Sequence, residues 1–372
     1  MLTISPSNIV ITLRLPFYQG KADFGNHYTK TRYWCSEPTK VAPENSILFS
    51  VRAPVGDINL TQNKCCIGRG LSAIIGKSVE QPYLYQMLQF VKPKFQLISQ
   101  GSTFEAVNGS DLKEFKLLTP PLPEQKKIAE ILSSVDDVIE TTETQINKLK
   151  DLKKGMMNEL LTKGIGHTEF KDSLVGKIPV EWEVKKTGEI AKSIVPGRNK
   201  PKAFNGNIPW ITISDIGSLF ITKSKIGLGV SRDALSDAQG KTIPPNSVIM
   251  TVVGDFGISG VAKNEMVINQ QLHAFVCGNK VLPLYLCFVI RLLKKKIENL
   301  STQTTISYLN KDNSESILIP IPPLQEQQKI ASILSSIDTN IEERQTKLTQ
   351  SKNLKKSLMA DLLTGRVRVK VN

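Results

Sequence analysis

Two long stretches of this chain set apolar residues at helical spacing with polar residues between them. The first runs through Ile128, Ile131, Leu132, Val135, Ile139, Ile146, Leu149, Leu152, Met156 and Leu160, the second through Ile330, Ile333, Leu334, Ile337, Ile341, Leu348, Leu358 and Leu362. Steps of three, four and seven keep such side chains on one face of an α-helix, so each stretch predicts a helix with a single apolar stripe. Prolines open both (Pro120, Pro121 and Pro123; Pro320, Pro322 and Pro323), and proline stops a preceding strand while suiting the first turn of a helix. Gly164 and Gly166 close the first helix, where glycine is favoured. A helix from about residue 124 to 162 measures roughly 60 Å at 1.5 Å per residue, about three times the usual globular length. Its stripe needs a cover of equal length, and the other helix is the natural one. The expectation is an antiparallel coiled-coil pair with globular domains at opposite ends. Its packing residues are Ile128, Ile131, Leu132, Val135, Ile139 and Leu149 on one helix, and Ile330, Ile333, Leu334, Ile337, Ile341 and Leu348 on the other.

The two stretches are copies. Glu124 to Asp136 reads EQKKIAEILSSVD and Glu326 to Asp338 reads EQQKIASILSSID, ten of thirteen positions matching at an offset of 202. The match resumes at the same offset from Leu152 to Thr162 against Leu354 to Thr364. Upstream, at an offset of 201, Asn45-Ser46-Ile47-Leu48 faces Asn246-Ser247-Val248-Ile249, Gly56 faces Gly257, and Ile67-Gly-Arg-Gly-Leu faces Ile268-Asn-Gln-Gln-Leu. A period near 200 is far longer than a solenoid repeat of about 20 to 50 residues, so the unit duplicated is a whole domain plus its helix. This predicts two α/β (α+β) domains joined by two long antiparallel helices, related by a pseudo-twofold. The expected boundaries are 1–118, the first helix in 119–165, 166–318, and the second helix with the tail in 319–372.

Composition narrows the partners. A net charge of +14 and a pI near 9.4 favour polyanions, nucleic acid or an anionic membrane. No apolar run of about 18 residues spans a bilayer, and Met1 to Pro16 lacks the plan of a secretory leader, so a cytoplasmic protein without a membrane is expected. Cys35, Cys65, Cys66, Cys277 and Cys287 form no C-x-x-C pair and predict idle thiols.

The proline-rich openings and the repeated blocks, PPLPEQKKIAEILSSVD and PPLQEQQKIASILSSID, resemble the conserved regions of type I restriction-modification specificity subunits. Ile178-Pro-Val-Glu-Trp182, Gly188-Glu-Ile190 and Ile208-Pro-Trp-Ile-Thr212 resemble the start of that family's target recognition domains. The resemblance implies a subunit without catalysis of its own. Each recognition domain reads one half of a bipartite, asymmetric double-stranded DNA site, and the helices set the gap. It also implies two methylation subunits and two restriction subunits as partners. S-adenosylmethionine, ATP and Mg belong to those partners, with no cofactor in this chain. At an offset of 201 Met1 falls opposite residue 202, so the first module is expected to lack some 25 residues, including the counterparts of Ile178 to Trp182 and of Gly197. Two other readings are a coiled-coil adaptor for proteins and a specificity variant silenced in its first domain.

Other chemistry is weakly signalled. Gly70 to Ser78 resembles a phosphate-binding loop but has five residues between its glycines instead of four, which predicts a strand and turn. His27, His167 and His273 stand at no metal-ligand spacing. No Asn/Asp-Pro-Pro-aromatic motif of an amino-methyltransferase occurs. DNA reading needs cations for phosphates and donor-acceptor side chains for base edges. In the first domain these are Lys30, Arg32, Arg52 and Arg69 with Gln100, Ser102 and Thr103. In the second they are Arg198, Lys200 and Lys202 with Gln270, Gln271, Gln303 and Thr304. Arg291 with Lys294, Lys295 and Lys296 is expected to be a phosphate-facing or solvated patch.

Overall fold

The structure is a computed structural model that describes residues 14–100, 106–197, 199–302 and 307–370. In chain order it opens with strands β1 (Leu15–Tyr18), β2 (Tyr33–Cys35), β3 (Val41–Ala42), β4 (Ile47–Ser50), β5 (Ile58–Leu60), β6 (Cys65–Ile67) and β7 (Leu71–Ile74). Helices α1 (Gln81–Gln100), α2 (Gly109–Glu114) and α3 (Leu122–Thr162) follow. Next come β8 (Phe170–Lys171), β9 (Ile178–Pro179), β10 (Glu183–Lys186), α4 (Thr187–Ile190), β11 (Ala191–Ile194), β12 (Ile208–Ile211), β13 (Phe220–Ile221), β14 (Gly229–Val230) and α5 (Arg232–Asp237). The chain ends with β15 (Thr242–Ile243), β16 (Val248–Thr251), β17 (Ser259–Ala262), β18 (Met266–Ile268), β19 (Leu272–Cys277), α6 (Pro283–Leu292), α7 (Lys294–Asn299), α8 (Lys311–Glu315), β20 (Leu318–Ile321) and α9 (Leu324–Leu362). Two compact units result, one of residues 1–144 and 345–372, the other of residues 145–344, so each long helix is shared between them.

The first unit holds a four-stranded sheet, β2-β1-β6-β3, and a three-stranded one, β5-β4-β7. The second repeats the four-stranded sheet as β14-β12-β18-β15, down to the parallel pairing of its central strands (Phe17 opposite Cys66; Trp210 opposite Val267). Its other large sheet, β11-β19-β16-β17-β13, has β4, β5 and β7 as counterparts of β16, β17 and β19. The central strands β4 (ILFS) and β16 (VIMT) are buried at every position, which matches their unbroken apolar runs. The weakly repeated residues are turn residues. Asn45 and Asn246 take φ of 58° and 64°, in the left-handed region that asparagine tolerates. Ser46 and Ser247 each donate a 2.7 Å hydrogen bond to the carbonyl of a proline three residues back.

Strand register corrects the expected alignment at the start. Phe17 and Trp210 are equivalent, an offset of 193, because the second unit inserts eight residues, including α5, before β15. The offset of 201 thus holds from β3 onward but not at β1, and residues 1–13, on which the expected counterparts of Ile178 to Trp182 and of Gly197 turn, lie outside the described residues. In the second unit β10 pairs with β20 and Trp182 is fully buried. The first unit shows no strand partner among the described residues for the segment equivalent to β20; Tyr83 OH donates to Leu118 O at 3.0 Å, and Leu118 itself is 62% exposed.

The repeated blocks are explained by what their side chains hold. In the second unit Glu326, at the start of α9, accepts hydrogen bonds from the segment that leaves α3: Ile165 N at 2.9 Å, His167 Nε2 at 2.9 Å, and farther on Trp182 Nε1 at 3.0 Å. In the first unit its counterpart Glu124, at the start of α3, accepts Arg368 Nε at 2.8 Å and Nη2 at 2.6 Å from the segment that leaves α9. The neighbouring glutamines tie each long helix to its own unit. Gln125 accepts from Glu80 N, and Gln327 from Leu282 N, both at 2.9 Å. Farther along, Asp136 pairs with Lys355 at 2.7 Å, and Asp338 pairs with Lys153. In each unit the partner's residue number falls as the helix advances, so the helices run antiparallel. Both helices exit through a glycine at positive φ, Gly164 and Gly365.

Apolar packing concentrates at the helix ends. Ile128 and Leu132 join Met359, Leu362 and Leu363 in the core of the first unit, with Ile131 half-buried against it. Ile330 and Leu334 join Leu160 and Leu161 in the core of the second, with Ile333 half-buried against it. Ile337 and Ile341 are buried, while Val135, Ile139, Leu149 and Leu348 are only half-buried. The expectation of a purely apolar stripe is thus corrected: in the middle the buried Ile146 and Ile341 are interspersed with polar contacts, Glu143 paired to Lys352 and Arg344 donating to Gln145 Oε1. Leu152 is exposed, as is Leu354, because Lys153 and Lys355 take the inward positions to reach their aspartates.

Replacing Glu326 with Ala strips three donors of their acceptor and lowers unfolding free energy by about 3 kcal/mol. Glu124→Ala costs less, because the Arg368 side chain is mostly exposed. Urea unfolding of the two variants measures this order, and equal losses would contradict it.

Candidate nucleic-acid interface

In the first unit a cleft of about 1,010 Å³ opens beside β1 and the turn after β6. Phe17, Gln19, Lys21, Lys40, Ser50, Arg52 and Arg69 are among its lining residues. Lys40, Arg52 and Arg69 also line a second cleft of about 640 Å³ that reaches Asn108. Lys40 Nζ donates to Leu71 O at 2.9 Å, and Lys21 pairs with Asp57 at 2.9 Å. Arg32, expected among the DNA contacts, instead faces Asp23 through Nε at 3.2 Å and Nη2 at 2.6 Å. Asp23 accepts from Gln19 N at 2.7 Å, and these hydrogen bonds together with the Arg32 charge hold its carboxyl below the usual range despite a desolvation penalty that pushes the other way.

In the second unit a cleft of about 470 Å³ sits at the same point of the frame. Its walls are more apolar (Phe204, Trp210, Leu228, Leu235, Val267), and its rim carries Lys200, Lys241, Asn269, Gln270 and Gln271. Lys200 Nζ lies 5.2 Å from the Phe204 ring centroid. Gln270 donates to Gly197 O at 3.3 Å, and Gln271 Oε1 accepts from Asn269 Nδ2 at 3.0 Å. Lys202 is exposed but does not line the cleft.

The clefts share their construction: Phe17 matches Trp210, Lys40 matches Lys241, and Gly68-Arg69-Gly70 matches Asn269-Gln270-Gln271. The turn is pinned identically. Gly68 N donates to Tyr18 O at 2.8 Å and Asn269 N to Ile211 O at 2.9 Å, while Val51 N and Val252 N each donate at 3.0 Å to the last residue of the turn. Sequence reasoning missed Lys40 and Lys241, although both lie at the 201 offset.

Of the remaining candidates, Ser102, Thr103, Arg198, Gln303, Thr304 and the side chain of Gln100 lie outside the described residues. Lys30 is exposed away from the cleft lining. Arg291 is turned inward rather than solvated, which corrects the expectation for that residue alone: it donates to Ser259 O at 2.6 and 3.0 Å and pairs with Asp338 at 3.5 Å, while Lys295 and Lys296 are exposed. Nearby, Lys294 pairs with Asp255 and Lys296 donates to Val175 O at 3.2 Å. The suspected phosphate loop is built as β7 and the turn into α1. Among the described residues no group of three His, Cys, Asp or Glu side chains is placed to hold a metal, and no helix is long and apolar enough to cross a membrane.

Compared with known proteins, residues 15–151 and 179–350 match the family model described as type I restriction modification DNA specificity domain. Two type I restriction enzyme specificity subunits of Methanocaldococcus jannaschii are similar. MjaX is 33% identical over 78% of this chain and 69% of that protein, and MjaVIII is 30% identical over 79% and 72%. Among solved structures, the S subunit of a type I restriction-modification system from M. genitalium superposes with a TM-score of 0.65 at 16% identity, covering 98% of this chain and 91% of that one. That likeness is one of fold.

Behind the second turn, His273 is fully buried on β19, its ring bonded to Ser314 Oγ at 2.8 Å and Tyr308 OH at 3.1 Å. Burial pushes its pKa down to about 4, from an ordinary 6.5. The folded ring stays neutral while the unfolded one protonates, so its stabilisation is complete above pH 6.5 and is lost as pH falls toward 4, by roughly 3 kcal/mol. His273→Gln removes that slope. Urea midpoints of the two proteins between pH 7 and 4.5 measure it, and parallel curves would contradict it.

Proposed function

This chain belongs to the family of type I restriction-modification DNA specificity subunits, and on that premise we propose that it reads a bipartite, asymmetric double-stranded DNA site. Each unit's cleft takes one half-site, and the long helices set the gap between halves. The observation that carries this reading is the pair of clefts built on one frame with different linings: the same construction presented to two DNA segments, with different side chains to choose the bases. A net charge of +14 supplies the attraction to phosphate. The chain acts without catalysis of its own and docks two methylation and two restriction subunits, which bring S-adenosylmethionine, ATP and Mg.

A second reading, a specificity variant disabled in its first half, draws on the segment at Leu118, which has no strand partner among the described residues. Adenine methylation mapped across the genome of a methylation-deficient host, expressing this chain with its cognate methylation subunit, separates the two. The proposal expects a split motif with both halves specified and unlike each other. A motif specified in one half only, or no methylation, overturns it.

A further inference from the structure

We infer that the middle residue of the turn after β6 and β18 selects a base in each unit, Arg69 choosing guanine in one half-site and Gln270 choosing adenine in the other; this rests on the DNA-reading proposal above.

Three backbone hydrogen bonds hold the turn in the same shape in both units. They are the two pairs already described and Leu71 N to Gly68 O at 3.2 Å, matched by Leu272 N to Asn269 O at 3.1 Å. A rigid turn presents its middle side chain without a large ordering cost. In the first unit the flanking residues are Gly68 and Gly70. A Cβ on Gly70 would lie 2.5 Å from Gln19 O and one on Gly68 3.0 Å from Gln19 Cγ, so the close approach to Gln19 leaves Arg69 as the only side chain the turn offers. In the second unit the flanking amides are tied to each other: Asn269 Nδ2 donates to Gln271 Oε1, and Gln271 N donates to Asn269 Oδ1 at 3.1 Å. Gln270 again remains the residue presented at the cleft rim, its amide reaching across to Gly197 O. Two different devices thus single out the same position.

The chemistry at that position differs in the way base reading requires. A guanidinium donates twice, matching guanine O6 and N7, whereas a carboxamide donates once and accepts once, matching adenine N6 and N7. Arg52, which lines the same cleft from a different segment, has no such counterpart, because Val253 stands at its equivalent position. It belongs with the lysines as a phosphate contact.

The test uses the complex with its cognate methylation subunit. Motif mapping is repeated with Arg69→Gln and with Gln270→Arg, and binding to the wild-type duplex and to single-base variants of it is measured with Arg69→Ala, Gln270→Ala and Arg52→Ala. Arg69→Gln converts one guanine of one half-site to adenine, and Gln270→Arg converts one adenine of the other half to guanine, with the gap unchanged. The alanine variants at 69 and 270 lose roughly 5- to 150-fold discrimination at that one base pair. Arg52→Ala weakens all duplexes alike. If both swapped variants methylate the wild-type motif, or if Arg69→Ala and Gln270→Ala weaken all duplexes alike, the inference is overturned while a split wild-type motif leaves the DNA-reading proposal standing. Absence of a split motif from the wild type overturns that proposal itself.

Discussion

A glutamate at the start of each long helix, its side chain largely covered and accepting hydrogen bonds from the chain that has just left the other helix, is the contact on which the remaining architecture depends. Glu326 does this with Ile165, His167 and Trp182, and Glu124 with Arg368. A helix N-terminus favours a carboxylate, and the orphan groups beyond a helix C-terminus need partners. One residue therefore meets two requirements and fixes which end of one helix lies beside which end of the other. The glutamine that follows turns the same point of the helix toward its own unit. Glu-Gln is thus a junction of three segments, and it recurs in both copies.

With the ends fixed by apolar cores and these junctions, polar pairing joins the buried Ile146 and Ile341 along the rest of the helix pair. The Asp136–Lys355 and Asp338–Lys153 contacts supply it. Side chains less than a third exposed on both sides make such pairs register marks rather than surface decoration, because a slip would leave charges buried without partners. The same division appears in the globular units. The strands that frame each cleft are equivalent, while the side chains on the rim differ, Arg69 against Gln270 and Gly68 against Asn269. Frame and lining are separable, and under the proposed function that would let one fold carry two specificities.

The long helices were legible because three signals agreed: prolines at the start, a stripe at helical spacing, and glycine at the end. Duplication was legible from ten matches in thirteen positions alone. The polar seam was not. Leu152 and Lys153 sit one residue apart, and periodicity favours the leucine, whereas the buried aspartate across the helix pair favours the lysine. Nor was the register of the first unit readable, since the eight residues around α5 shift the offset from 201 to 193 without any marker that a matching segment resumes at β1. Site residues were legible by type but not by partner. Arg32 and Arg291 look like free cations in a sequence, and each is taken up by a carboxylate that only the fold brings near. Lys40 and Lys241 were missed because an isolated lysine carries no pattern, although their shared offset was available.

The central claim is that the helix pair acts as a ruler between two reading units. Its most direct test is a four-residue insertion in both long helices, between Asp136 and Leu152 and between Asp338 and Leu354, followed by mapping of the methylated motif. Four residues add about 6 Å of helix, against about 3.4 Å for each base pair of DNA. The account predicts both half-site sequences unchanged and the gap between them longer by roughly one or two base pairs. Methylation that persists with the gap unaltered would contradict it.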